Sequence, residues 1–388
     1  MKILFISNGS GMGTAKSGGM TRHIEIAKKL LKKGIEVSFL TTIGSYSTYK
    51  AEGLKARFIL ARAHIFSRKE KNNLGRALSY IVSTFSSLLL LNRLPEYDIV
   101  YTTSDYFCDI IPAFFLKLSR PDLKWMAMIH HLYRPPFKRK GNFIINSVAF
   151  LLQRFSFKLI RSQSACILLY DTLEGKTIQN LFLKHDYAKK IFSVANGVDL
   201  ELIDSLPMLP KKYDACFAGG LRASKGIFEI IRIWSLVVKQ NNQRLLAIAG
   251  GGTIKIVEQV KREIIRSDLN KNILLLGPLD QVELIKTMKA SKIFVSASQE
   301  EGWGIALYEA LACGLPVVAY RLPAFTNLKK AIIGIDMFNQ IKFANNIREL
   351  LTNENLAKKL IESGRDIVKK YSWKQIAETE LKIFQSIN

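Results

Sequence analysis

Two doubly wound α/β domains are predicted, and three observations carry that prediction. Strand-like apolar runs alternate with helical spacing, the alternation restarts after residue 195, and 388 residues suit two cores better than one. A composition of 48% apolar and 23% charged residues is that of an ordinary globular chain, which sets disorder aside.

The elements follow in order. Residues 2–7 (KILFIS) read as a strand that opens into a glycine-bearing loop, residues 8–19 (NGSGMGTAKSGG). Residues 20–33 have helical spacing through Ile24, Ala27, Leu30 and Leu31, with Gly34 as C-cap, and residues 35–42 return to strand. Apolar runs at 98–102, 125–129 and 165–170 supply further strands between helical segments. Residues 77–91 (ALSYIVSTFSSLLLL) form an apolar stretch of about 15, laced with Ser and Thr, read as a buried or interfacial helix and too short for a span of about 20.

The second set has strands at 214–218, 245–249, 273–276, 292–296 and 316–320. Its helices fall at about 226–239, 254–266, 281–290 and 304–313. Residues 199–210, with Pro207 and Pro210, punctuate the junction.

Charge divides unevenly. Residues 1–195 hold 30 Lys and Arg against 12 Asp and Glu; the remainder holds 27 against 20. The first half therefore faces either solvent alone or something anionic: nucleic acid, lipid headgroups or a phosphate-bearing acceptor. Four isolated cysteines, Cys108, Cys166, Cys216 and Cys313, give no zinc or disulfide pattern and suit a reducing compartment. The short apolar start lacks a cleavage-type signal, so a cytoplasmic protein is expected.

One run concentrates chemistry: EGWGIALYEALACGLPVVA, residues 301–319. On a helix, Glu309 would have Ile305, Ala306, Ala312 and Cys313 three and four residues away, all apolar. A carboxylate on that face needs a partner, so Glu309 is expected to meet a hydroxyl-rich ligand or a buried cation. Glu301 precedes the helix beside Gly302 and Gly304, which permit close backbone approach; free amides at the helix start suit a phosphate.

This E-x7-E run resembles the signature of retaining GT-B glycosyltransferases of family 4, and the resemblance extends along nearly the whole chain. It implies a GT-B fold: an acceptor domain over residues 1–197, a nucleotide-sugar domain over 198–372, facing across a cleft, and a last helix near 373–388 returning to the first. It also implies that Glu301 meets donor-sugar hydroxyls, that Glu309 holds the ribose, and that backbone amides around residues 303–306 lie near the diphosphate, with Gly302, Trp303, Gly304 and Ile305 among the donor-binding residues. The run FAGGLRASKG, residues 217–226, is similar to the family's G-R-L-x-x-x-K-G loop, which stabilises the departing diphosphate. Lys225 matches directly; the family arginine falls on Gly220, with Arg222 two residues on.

Further likenesses place Gly19 against the donor phosphates and His130, or else His131, near the sugar and acceptor. Asn196-Gly197-Val198-Asp199 resembles the family's junction turn, and Gly277-Pro278 its nucleobase loop. A dinucleotide reading fails: Thr14 stands where the third glycine belongs, and no acidic residue ends the second strand.

No cofactor or metal is expected beyond the nucleotide-diphospho-sugar donor, since the chain has no D-x-D. The resemblance implies a hexosyltransferase that works with retention and without metal. Expected acceptors are a glycan, a lipid-linked sugar or a protein. Residues 134–161 interleave Arg134, Lys138, Arg139, Lys140, Arg154, Lys158 and Arg161 with five phenylalanines. That pattern fits either an interfacial helix on an anionic membrane at the inner face or a core helix with snorkelling cations. A nucleotide-sugar epimerase is the rival on the same fold. A nucleic-acid-binding protein rests on charge alone, with no recognition motif to support it.

Overall fold

The computed structural model describes residues 1–9, 18–62, 73–139, 142–185 and 189–387. The loop positions 10–17, with Gly11 and Thr14, lie outside them, as does Lys140. Contacts divide the chain into a unit of residues 1–196 with 374–388 and a unit of residues 197–373.

The first unit holds seven parallel strands: β1 (Lys2–Ser7), β2 (Glu36–Thr42), β3 (Arg57–Ala61), β4 (Ile99–Thr102), β5 (Lys124–Ile129), β6 (Cys166–Tyr170) and β7 (Lys190–Val194). Their spatial order is β3-β2-β1-β4-β5-β6-β7. β1 has no exposed position beyond Lys2, and β6 is wholly buried, as strands covered on both faces must be. The helices are α1 (Gly18–Lys32), α2 (Ile43–Ala51), α3 (Asn73–Leu90), α4 (Phe107–Ser119), α5 (Phe143–Gln163), α6 (Leu173–Leu183) and, from the chain's end, α14 (Trp373–Ile387). α1 stops where Gly34 takes φ +76°, a left-handed turn that suits glycine.

The second unit holds six parallel strands, β8 (Tyr213–Ala218), β9 (Leu246–Ala249), β10 (Ile273–Gly277), β11 (Ser291–Ser296), β12 (Val317–Tyr320) and β13 (Ile332–Ile335), in the order β10-β9-β8-β11-β12-β13. After α7 (Leu200–Ser205), capped by Asp199, its helices are α8 (Ile227–Val238), α9 (Ile254–Arg266), α10 (Gln281–Lys289), α11 (Ile305–Ala312), α12 (Gln340–Thr352) and α13 (Glu354–Val368). Its core joins Ile230, Ile231 and Trp234 of α8 to Ile248 of β9, Val295 of β11 and Phe343 of α12. The Trp234 indole N–H donates to the Asn272 carbonyl at 2.9 Å, so the ring is buried without an orphaned donor.

Both sheets are parallel and Rossmann-like, as expected. β3, β7 and β13 were not foreseen; all three are edge strands, where half-exposed residues blur the apolar run. Residues 134–161 are not one helix. Pro135 and Pro136 hold the start in a short 3-10 turn, and α5 begins only after the Asn142 cap, whose side chain accepts from the Ile145 amide at 3.1 Å.

Candidate functional site

In the second unit the strand order reverses between β8 and β11, so the loops leaving those strands diverge and open a crevice at their carboxyl ends. Lys225 stands in one loop and Glu301 in the other. The Lys225 Nζ donates to Glu301 Oε1 at 2.6 Å, and the Ser298 hydroxyl donates to the same oxygen at 2.8 Å. The Gln299 amide, donating to the Ser224 carbonyl at 2.9 Å, ties the loops together. Gly226 has φ +74°, and a Cβ there would lie 2.0 Å from the Ala297 carbonyl oxygen, so no other residue fits behind Lys225.

Arg222 is exposed in extended backbone ahead of the 3-10 turn Ala223–Lys225. Its side chain folds back over Gly220, where a Cβ would sit 3.4 Å from Arg222 Nε. The guanidinium thus lies over Gly220.

Gly304 caps α11 at φ +89°, and a Cβ there would press within 2.6 Å of the Phe325 ring. Gly302, Gly304 and Ile305 remain partly exposed at the helix start. The Trp303 indole is buried, stacked on Tyr308 at 4.9 Å and edge-on to Tyr371, so only its backbone is offered. Glu309 is 7% exposed, on the apolar face expected of it. One of its oxygens accepts from Gln281 Nε2 at 2.6 Å, a partner supplied by the protein itself. Gln281 opens α10 just beyond Gly277-Pro278, and nothing in its sequence context marked it. Glycine ends also stitch this edge: the Gly250 amide donates to the Gly277 carbonyl at 2.8 Å, and the Leu221 amide to the Gly251 carbonyl at 2.8 Å.

The first sheet reverses its order between β1 and β4. Here Gly19 lies in the first turn of α1 with His130 beside it; a Cβ on Gly19 would be 3.1 Å from His130 Nε2. The two residues singled out separately are therefore neighbours. His130 Nε2 lies 2.7 Å from the Thr103 carbonyl, and Nδ1 lies 2.9 Å from the Tyr170 hydroxyl. A carbonyl can only accept, so Nε2 carries the hydrogen and Nδ1 accepts from Tyr170. Tyr170 in turn accepts from Asn196 Nδ2 at 3.0 Å. His131 instead packs on Tyr133, with ring centres 4.8 Å apart.

Burial pulls the His130 pKa down to about 3. The folded state disfavours its proton, so its contribution to stability is whole above the unfolded value near 6.5 and is lost as pH falls from there towards 3. Imidazole NMR is expected to show a neutral, Nε2-protonated His130 down to about pH 4. An inflection between about pH 5 and 7 would remove this assignment.

Two carboxylates escaped sequence reading because they lie far in sequence from what they hold. Asp109 on α4 is fully buried and accepts from the amides of Asn8 and Gly9 and from the Ser104 hydroxyl, fixing the start of the loop that leads to Gly19. Asp105 accepts from Gln153 Nε2 of α5 at 2.7 Å; that amide also donates to the His131 carbonyl at 2.9 Å. Among the described residues, no group of three or more His, Cys, Asp or Glu converges as a metal set, and all four cysteines are buried free thiols.

Residues 200–367 match the family model described as glycosyl transferases group 1. An uncharacterised glycosyltransferase of Methanocaldococcus jannaschii is 24% identical over 96% of this chain and 95% of its own. Among solved structures, sucrose-phosphate synthase of Thermosynechococcus elongatus aligns over 100% of this chain and 98% of its own, with a TM-score of 0.79 at 16% identity. The Anabaena protein HepE in complex with UDP and glucose aligns over 100% of both chains, with a TM-score of 0.75 at 16% identity. These likenesses establish the GT-B fold.

Proposed function

We propose that this chain, which belongs to the glycosyl transferases group 1 family, moves a hexosyl unit from a nucleotide-diphospho-sugar to an acceptor hydroxyl with retention of configuration. The observation that carries the reading is the Lys225–Glu301 pair at the switch point of the second sheet, beside the open start of α11. A carboxylate for sugar hydroxyls and a cation for phosphate sit together there. The UDP and glucose held by the Anabaena relative suit such a pair.

As the glycosidic bond lengthens, positive charge grows on the sugar ring and negative charge on the diphosphate. Lys225, Arg222 and the amides of Ile305 and Ala306 meet the negative charge. An ammonium has three donors, so Lys225 can keep Glu301 in place while it binds a phosphate oxygen. Glu301 aligns the sugar, and Glu309, steadied by Gln281, takes the ribose hydroxyls. His130 is neutral and tied at both nitrogens, so it serves as a fixed wall beside Gly19 rather than as a base.

The leaving charge is met by side-chain cations and amides, and the chain lacks D-x-D, so the reaction is proposed to run without a divalent ion. Acceptors of the proposed class are a glycan, a lipid-linked sugar or a protein; the basic segment 134–161, set against an anionic inner membrane face, favours the lipid-linked one.

Thermal-shift screening with UDP-, GDP- and ADP-sugars tests the donor. The matching donor at 100 times its Kd is expected to stabilise the second unit by about 2.7 kcal/mol, and Glu309→Ala to abolish the shift. Transfer should persist in EDTA. An epimer formed from donor alone would turn the reading to an epimerase. Donor affinity unchanged in Glu309→Ala would remove it.

A further inference from the structure

Two helices of the first unit bury several polar side chains and carry apolar stripes on their outer sides. On α3 the buried side carries Ser79, Ser83, Thr84 and Ser87, whereas Leu78, Ile81, Phe85 and Leu89 are exposed, Phe85 by 64% and Leu89 by 81%. The exposed four fall three and four residues apart, forming one stripe. On α5 the buried side sets Asn146, Gln153 and Ser156 beside the core residues Phe157 and Ile160, and Ile144, Val148, Leu151 and Phe155 form an outer stripe. α4 packs against both helices and adds exposed Phe115 and Leu118.

The inner polar groups are used by the protein. Asn8 Nδ2 donates to the Ser87 hydroxyl at 3.0 Å, and Gln153 holds Asp105 and the His131–Tyr133 backbone. A helix bathed in water on its outer side would place polar residues where these apolar stripes stand, and contiguous exposed apolar patches mark interaction sites.

Charge says what kind. The three helices share a single carboxylate, Asp109, and it is fully buried. Lys117, Arg154, Lys158 and Arg161 lie on these helices, and beside α5 a groove of about 610 Å³ sets Arg154 and Lys184 among Leu132, Leu181 and Leu183. Two copies meeting on this face would set like charges together with no carboxylate to offset them.

We propose that the outer faces of α3, α4 and α5 form one docking surface that lies in the plane of an anionic lipid bilayer, stripes in the acyl boundary and cations among the headgroups. α5 is long and apolar enough to cross a membrane by length and composition alone, but its inner side is bonded to the first unit, so it lies along the surface. The inference rests on the membrane reading of residues 134–161 and extends it to two helices outside that segment.

The test is co-sedimentation of the full chain with phosphatidylcholine vesicles, with and without phosphatidylglycerol. Binding is expected only with the anionic lipid, weakening as salt rises. Phe85→Glu on α3 and Leu151→Glu on α5, both at exposed positions, are each expected to weaken binding about tenfold or more. Lys117→Glu with Lys158→Glu, which removes no apolar contact, is expected to weaken it too. The proposal is overturned by failure to bind either vesicle, by equal binding in the variants, or by a self-associated chain that the same substitutions dissolve. Vesicle binding needs no sugar donor, so this proposal and the transferase reading stand or fall separately.

Discussion

Lys225→Ala is expected to lower kcat for glycosyl transfer by ~10²–10³, the usual loss when one preorganised charge facing a developing anion is removed. Lys225 is 25% exposed and Glu301 12%, so water screens their pair, and it adds less than about 1 kcal/mol to the fold. The melting temperature of the variant should therefore stay close to that of the parent while turnover falls. Lys225→Arg is not expected to rescue it: a planar fork cannot fill the site of a compact ammonium backed by Gly226. Glu301→Gln should raise KM for the donor, because a neutral amide still reaches the sugar hydroxyls while the anchor on Lys225 weakens. Steady-state kinetics with a saturating acceptor separates the two effects. Unchanged kcat in Lys225→Ala would confine that residue to tying one loop to the other.

Breaking the Arg22–Glu380 pair is expected to destabilise the first unit by about 3–5 kcal/mol. Arg22 of α1 and Glu380 of α14 are 1% and 0% exposed, their charged groups in direct contact, and Arg22 Nη1 also donates to the Tyr101 hydroxyl at 3.1 Å. Arg22→Ala leaves a carboxylate stranded in the core, and Glu380→Ala strands a guanidinium. Arg22→Met combined with Glu380→Leu removes both charges and is expected to recover most of the loss. Hydrogen exchange is the measurement, since it resolves the units: amides of β1 and β4 should lose protection while those of β8 and β11 keep it. Equal loss in both units would overturn the expectation.

How far the sequence could be read depended on the distance over which each feature is encoded. β1, β5 and β6 are continuous apolar runs, buried on both faces, and local pattern alone locates them. Glu309 stood out because its helical neighbours are all apolar, and its burial follows from that. Its partner Gln281 stayed hidden: a glutamine opening a helix looks the same whether it faces water or a carboxylate 28 residues away. Asp109 was illegible for the same reason, since the amides it holds are about a hundred residues upstream. Residues 134–161 gave the right charges and aromatics but the wrong start, because their periodicity ran on across two prolines that end any helix before them. For α3 and α5 the sequence left a buried and an interfacial helix both open, and it did not say which apolar residues face outward. A helical stripe has a direction only once the sheet beneath it is known.

The return of α14 to the first unit also bears on how the chain is made. Arg22 and Glu380 are separated by 358 positions, and Phe384 sets its ring against Tyr101 at 6.0 Å. At ribosomal rates of about 5–20 residues per second, roughly 20–70 s pass between the two partners. Through that interval the nascent first unit carries an unneutralised arginine and, once Tyr101 is made, an uncovered aromatic edge, while the segment that becomes the second unit emerges in one piece. The order of emergence is therefore not the order of completion: the unit begun first is closed last, and its open α1 edge is where a chaperone would find work.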